Sequence, residues 1–153
     1  MTTTTESLDD SRPPATQETD RVLTFLPLFE DRSRRWYEVH KATTDEAAPI
    51  VDVADGKYLY DETVHDFIAA LQDGRFFMPF DFDWGEWQPI AERYVKEPKL
   101  LGEASMTTLR KLFTTGIRKE PFSTGHLARL IDGGHIVELL RRLKTLRASM
   151  PAA

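Results

Sequence analysis

Between Gly74 and Trp87 the chain reads Gly-Arg-Phe-Phe-Met-Pro-Phe-Asp-Phe-Asp-Trp-Gly-Glu-Trp, holding four of its nine Phe and two of its three Trp. Each ring buries a large apolar area, so a segment this dense in rings belongs inside a soluble fold, with other elements packed around it. It separates two halves of different pattern. Upstream lie β-prone runs and one amphipathic helix, and downstream nearly everything has helical periodicity. With 153 residues, 41% of them hydrophobic, the chain has material for one core. The reading is a single domain over residues 20–147.

Residues 1–19 are rich in Thr, Ser, Asp, Glu and Pro with a single Leu, too little apolar area to offset the entropy of ordering, and are expected to form a disordered tail. Residues 148–153 are expected to fray. From Val22 to Phe29 the apolar run predicts a short helix interrupted near Pro27, whose ring clashes with the preceding turn. Arg35 to His40 reads as a strand. Ile50 to Ala54 and Lys57 to Tyr60 flank Asp55-Gly56, a pair suited to a tight hairpin turn. Asp61 is a good N-cap for a helix with Val64, Phe67, Ile68 and Leu71 on one stripe and Gly74 at its left-handed end. That helix is expected to cover the sheet. Phe76 to Phe80 is expected to return as an edge strand, and Asp83 to cap a helix running to Val95.

Beyond this point Ser105 caps a helix carrying Met106, Leu109, Leu112, Phe113 and Ile117, closed by Pro121. Ser123 or Thr124 caps the next, Gly133-Gly134 ends it, and a last helix begins near His135 with Leu139, Leu140, Leu143 and Leu146 inward. The expected fold class is α+β. A three- or four-stranded N-terminal antiparallel sheet packs on the Asp61–Gly74 helix, and a helical C-terminal half follows.

There is no cysteine, which excludes a thiolate nucleophile and any Cys-based zinc or iron–sulfur site. With no basic flank leading into an apolar run, and no apolar segment of about 20 residues, the chain is expected to be soluble and cytoplasmic, without a membrane partner. The net charge of −5 is unevenly spread: residues 105–153 carry nine bases against three acids. Such asymmetry marks a nucleic-acid face only when the bases cluster together.

Leu-Pro-Leu-Phe-Glu at residues 26–30, Phe-Asp-Trp-Gly-Glu-Trp at 82–87, Thr-Leu-Arg-Lys-Leu at 108–112, and the close from Gly125-His126-Leu127-Ala128 through Gly134-His135-Ile136 to Leu-Leu-Arg-Arg-Leu resemble an uncharacterised bacterial family of unknown function. The likeness spans most of residues 20–147. Where similar chains often carry Arg-Phe, this one has Pro121-Phe122. The resemblance implies an intracellular protein of bacteria or bacteriophage, and no activity.

Two clusters are candidates for chemistry. Asp81, Asp83 and Glu86 sit among rings that would raise their pKa values and could divide acid and base roles, although Asp83-x-x-Glu86 is also the spacing of a capping box. His126 and His135 each follow Gly at a helix start and could serve as a general base and its partner, or as packing residues. No phosphate loop, nucleophile elbow or zinc motif is present. The reading leans away from an enzyme, with no cofactor and no metal, toward a small binding or regulatory module acting through protein partners. Trp84, Trp87, Arg118, Arg129, Arg141 and Arg142 are its candidate contacts, and self-association is compatible with it. The alternatives are a hydrolase using His126, His135 and Asp81 or Asp83, and a nucleic-acid-associated protein using the basic C-terminal helices.

Overall fold

A computed structural model describes residues 13–40, 57–79 and 82–150. Its elements are α1 (Pro13–Leu23), α2 (Leu26–Phe29), β1 (Tyr37–His40), β2 (Lys57–Tyr60), α3 (Glu62–Gln72), α4 (Gln88–Lys96), α5 (Met106–Lys119), α6 (His126–Asp132) and α7 (His135–Ala148). The architecture is α+β: a small antiparallel sheet and a helical C-terminal half.

The centre is α5. From Leu109 to Ile117 every residue except Lys111 is buried, so this helix has neighbours on nearly all sides. Gly116 lets α6 come close, since a Cβ there would stand 3.0 Å from Leu130 Cδ1. Across α5, an aromatic chain runs from Trp36 through Phe29, Phe67 and Phe113 to Phe77 and Phe76, with centroids 4.8 to 6.3 Å apart. Most of these pairs meet edge to face, as ring quadrupoles favour. The buried stripe of α7, with Leu139, Leu140 and Leu143, closes the core from the other side.

Several expectations hold. Asp61 caps α3 by accepting from the Thr63 N–H at 2.9 Å, and Ser105 caps α5 by accepting from the Thr108 N–H at 3.1 Å. The break near Pro27 is present, with α2 starting just before it. Others are corrected. Residues 13–19 belong to α1, where Thr16, Thr19 and Val22 form one buried stripe. Threonine counts as polar in composition, yet its small branched side chain fits the seam that α1 forms with α3 and α7. Just past α3, Arg75 is left-handed, with φ 62°.

Phe76 to Met78 is buried but is not a strand. Its first two carbonyls are met by side chains of α5: Arg110 Nε donates to Phe76 O at 2.6 Å and Thr114 Oγ1 to Phe77 O at 3.0 Å. A segment whose backbone is served in this way needs no ladder partner.

The described sheet has two strands, with Tyr37 opposite Tyr60 and Val39 opposite Tyr58. Ile50 to Gly56, including the expected hairpin turn, lies outside the described residues. The sheet is tied to α6 by tyrosine, whereas α3 packs on α1. Tyr60 OH donates to Glu120 Oε2 at 2.9 Å, just before α6, and Tyr37 OH donates to Asp132 at the far end of α6. The bond to Asp132 lifts the Tyr37 phenol to about 12. Burial, then the Glu120 carboxylate, raises that of Tyr60 further.

Candidate functional site

The two Gly-His pairs open α6 and α7. Gly125 at φ 91° and Gly134 at φ 83° adopt the left-handed conformation that glycine takes without a Cβ penalty, and each turns the chain so that a histidine becomes the first helical residue. Both rings are buried, His126 at 8% and His135 at 7% exposure. They line one cavity of about 20 Å³ together with Thr115 of α5 and the apolar side chains of Val95, Leu112 and Leu130. A wider outer cleft of about 360 Å³ shares Glu92, Lys119 and His126 with it and adds Ser123, Thr124 and Arg129.

Burial pushes both imidazoles down to about 4. At His126 the charges of Lys119 and Arg129 reinforce the effect while Glu120 and Glu92 oppose it. At His135 the next cause is His126 itself, whose charge disfavours protonation of the second ring. Both are therefore neutral at physiological pH, able to donate from one nitrogen and accept at the other.

Two polar atoms in this cavity's lining are buried without a hydrogen-bond partner among the described residues: His135 Nδ1 and Thr115 Oγ1. The neighbouring threonine behaves differently. Thr114 Oγ1 is within 3.0 Å of Phe77 O and 2.9 Å of Arg110 O, the usual resting place of a helical hydroxyl. Leaving a buried polar group unpaired costs about 1–3 kcal/mol, so two of them at one cavity form a site with unmet hydrogen-bonding capacity.

The rim is held by a cap that differs from the expected one. Neither Ser123 nor Thr124 caps α6 by its side chain. Glu120 does so from five residues before Gly125, accepting from the Gly125 N–H at 3.0 Å and the Leu127 N–H at 2.7 Å, while Tyr60 OH accepts from the Ala128 N–H at 3.1 Å. A carboxylate reaches further than a hydroxyl and serves two donors at once. Beyond it, Arg129 pairs with Glu92 at 3.2 Å across the mouth. Lys119 forms no ion pair with another described residue.

Of the sequence candidates, His126 and His135 are brought together. Asp83 is not part of this cavity; it accepts from the Glu86 N–H at 3.3 Å, ordering the turn before α4. Asp81 lies outside the described residues. Trp84 and Trp87 are half-buried, the first against Phe122 at 5.7 Å, the second stacked on Tyr94 at 6.4 Å with Lys111 over its ring. Trp87 thus flanks the core without entering it. Arg141 pairs with Glu30 and Glu138, both at 3.1 Å, and Arg142 donates to Ala104 O at 2.9 Å. Arg118 is half-exposed on α5, and Arg110 is buried with its guanidinium over the Phe76 ring. The basic C-terminal residues are mostly spent on internal pairs, so the charge surplus does not amount to one free face. Among the described residues no group of three His, Asp or Glu side chains could hold a metal ion, and no helix is long and apolar enough to cross a membrane.

Sequence reasoning missed Thr115, Glu92 and Glu120, and weighed Lys119 only among the bases of a nucleic-acid reading. For Thr115 no local signal existed: it is one of two adjacent threonines in α5, and only the packing decides which hydroxyl lacks a partner.

Residues 14–149 match the model of a family of unknown function (DUF6508). This bears out the resemblance to an uncharacterised family. No curated protein and no solved structure matches the chain.

Proposed function

The chain belongs to this family of unknown function, and we propose that it is a binding module whose ligand site is the cavity between α4, α5, α6 and α7. The observation that carries this reading is the pair of unpartnered buried atoms, His135 Nδ1 and Thr115 Oγ1, at a cavity that opens through a charged rim. A ligand satisfying both would recover the cost of leaving them unpaired, which is how a small polar pocket gains affinity. The hydrolase alternative draws on the same two histidines. It is the weaker reading, because rings held down to about 4 are poor bases and Asp83 is not beside them.

The test is ligand-observed NMR of the purified chain equilibrated with a mixed pool of small polar metabolites. Saturable contacts that vanish in His135→Phe, with its melting temperature retained, support the site. Absence of any contact from the whole pool overturns it.

A second reading, action through a protein partner, is supported by Phe122, which is 78% exposed and leans on Trp84. Co-purification from the native host of the chain and of Phe122→Asp tests it. Capture of the same partners by both would remove this support.

A further inference from the structure

Resting on the binding reading above, we infer that the cavity takes a short hydroxycarboxylate, its hydroxyl between His135 and Thr115 and its carboxylate at Lys119. Three features of the site set this chemistry. The inner cavity, about 20 Å³, has room for one water-sized head group. That head meets a neutral imidazole nitrogen and a threonine hydroxyl, so a group that both donates and accepts satisfies them whichever tautomer the ring adopts. A hydroxyl does this, and a buried ammonium would add a charge beside Lys119 and Arg129.

The middle of the path is apolar. Val95, Leu112 and Leu130 line it, which suits a short alkyl link. At the mouth stand two cations and one carboxylate, and the Glu92 carboxylate is already engaged by Arg129 at 3.2 and 3.4 Å. The remaining ammonium of Lys119 complements a single negative charge. A phosphate dianion would meet Glu92 with only that one cation to offset it. The exposed hydroxyl-bearing residues Ser123 and Thr124 line the same cleft as Lys119.

A matched set of probes separates these contributions: lactate, propionate, which lacks the hydroxyl, propylene glycol, which lacks the carboxylate, and inorganic phosphate. Each is titrated at neutral pH into the uniformly isotope-labelled full chain, with the His135 ring and the Lys119 amide followed by NMR. Lactate is expected to give saturable shifts at both positions. Propionate and propylene glycol should bind at least about tenfold more weakly, as expected for the loss of one hydrogen bond to a buried or charged group. Lys119→Ala should weaken lactate by a similar factor without changing the melting temperature. Thr115→Val should erase the preference for lactate over propionate. Equal binding of propylene glycol or phosphate would overturn the ligand class while leaving the binding reading intact. If lactate moves neither position, the class is overturned, and the metabolite-pool experiment decides the binding reading separately.

Discussion

The starts of α6 and α7 carry the same two-residue device and use it differently. At the first, Gly125 supplies both a left-handed turn and room: a Cβ there would come within 2.7 Å of the Tyr58 ring. The N–H groups of this turn are taken up by Glu120, Tyr60 and the Ser123 carbonyl. At the second, Gly134 supplies only the turn, since nothing lies within 4 Å of its absent Cβ and no side chain caps the helix. Yet the second histidine carries the unpartnered nitrogen. The corner that is knit together positions the rim, and the barer start leaves a buried polar atom without a hydrogen-bond partner among the described residues.

The largest expected effect concerns acid. Each imidazole titrates at about 6.5 in the unfolded chain and at about 4 in the folded one. The unfolded state then binds more protons in that window, so this part of the stability is complete above the unfolded value and is lost as pH falls toward the folded one. The loss should be on the order of 3 kcal/mol at His135 and smaller at His126, which also faces the outer cleft. Denaturant melts at about pH 7 and about pH 4.5, compared between the chain and His135→Phe, measure it. An unchanged pH slope in the variant would break the distinction between the two rings.

Removing the cap comes next. Glu120→Ala strips α6 of an acceptor shared by two N–H groups and the Tyr60 hydroxyl. It should cost about 2–3 kcal/mol in denaturant unfolding. A cost below about 0.5 kcal/mol would mean that α6 starts as independently of side chains as α7 does.

The smallest and sharpest contrast is between glycines. Gly125→Ala should cost about 2–3 kcal/mol, combining left-handed strain with displacement of Tyr58, and Gly134→Ala about 1–2 kcal/mol from strain alone. Equal losses in thermal melts would show that the close approach of Tyr58 contributes nothing.

Local signals were legible in the sequence. Asp61 and Ser105 announce their helices because an N-cap acts within three residues, and the apolar stripes of α3, α5 and α7 follow one helical period. What misled was settled at a distance. Phe76 to Phe80 has the composition of a strand, but its Phe76 and Phe77 carbonyls are met by Arg110 and Thr114, 34 and 37 positions later. Ser123 and Thr124 are adequate local caps, yet Glu120 fits better once Tyr60 from the sheet joins it. The central aromatic stretch likewise splits: Phe76 to Met78 enters the core, and Trp84 and Trp87 stay at its edge. In the site, the Gly-His spacing pointed to both histidines. Glu92 and Thr115 arrive from helices whose packing no local pattern encodes.

The claim on which the rest depends is that His126 and His135 are neutral, buried neighbours lining one cavity. Carbon-detected NMR of isotope-labelled histidine across an acid titration reads both rings directly. The expected result is a titration midpoint near 4 for each. A His135 midpoint near the ordinary value of about 6.5 would place that ring in water and remove the site.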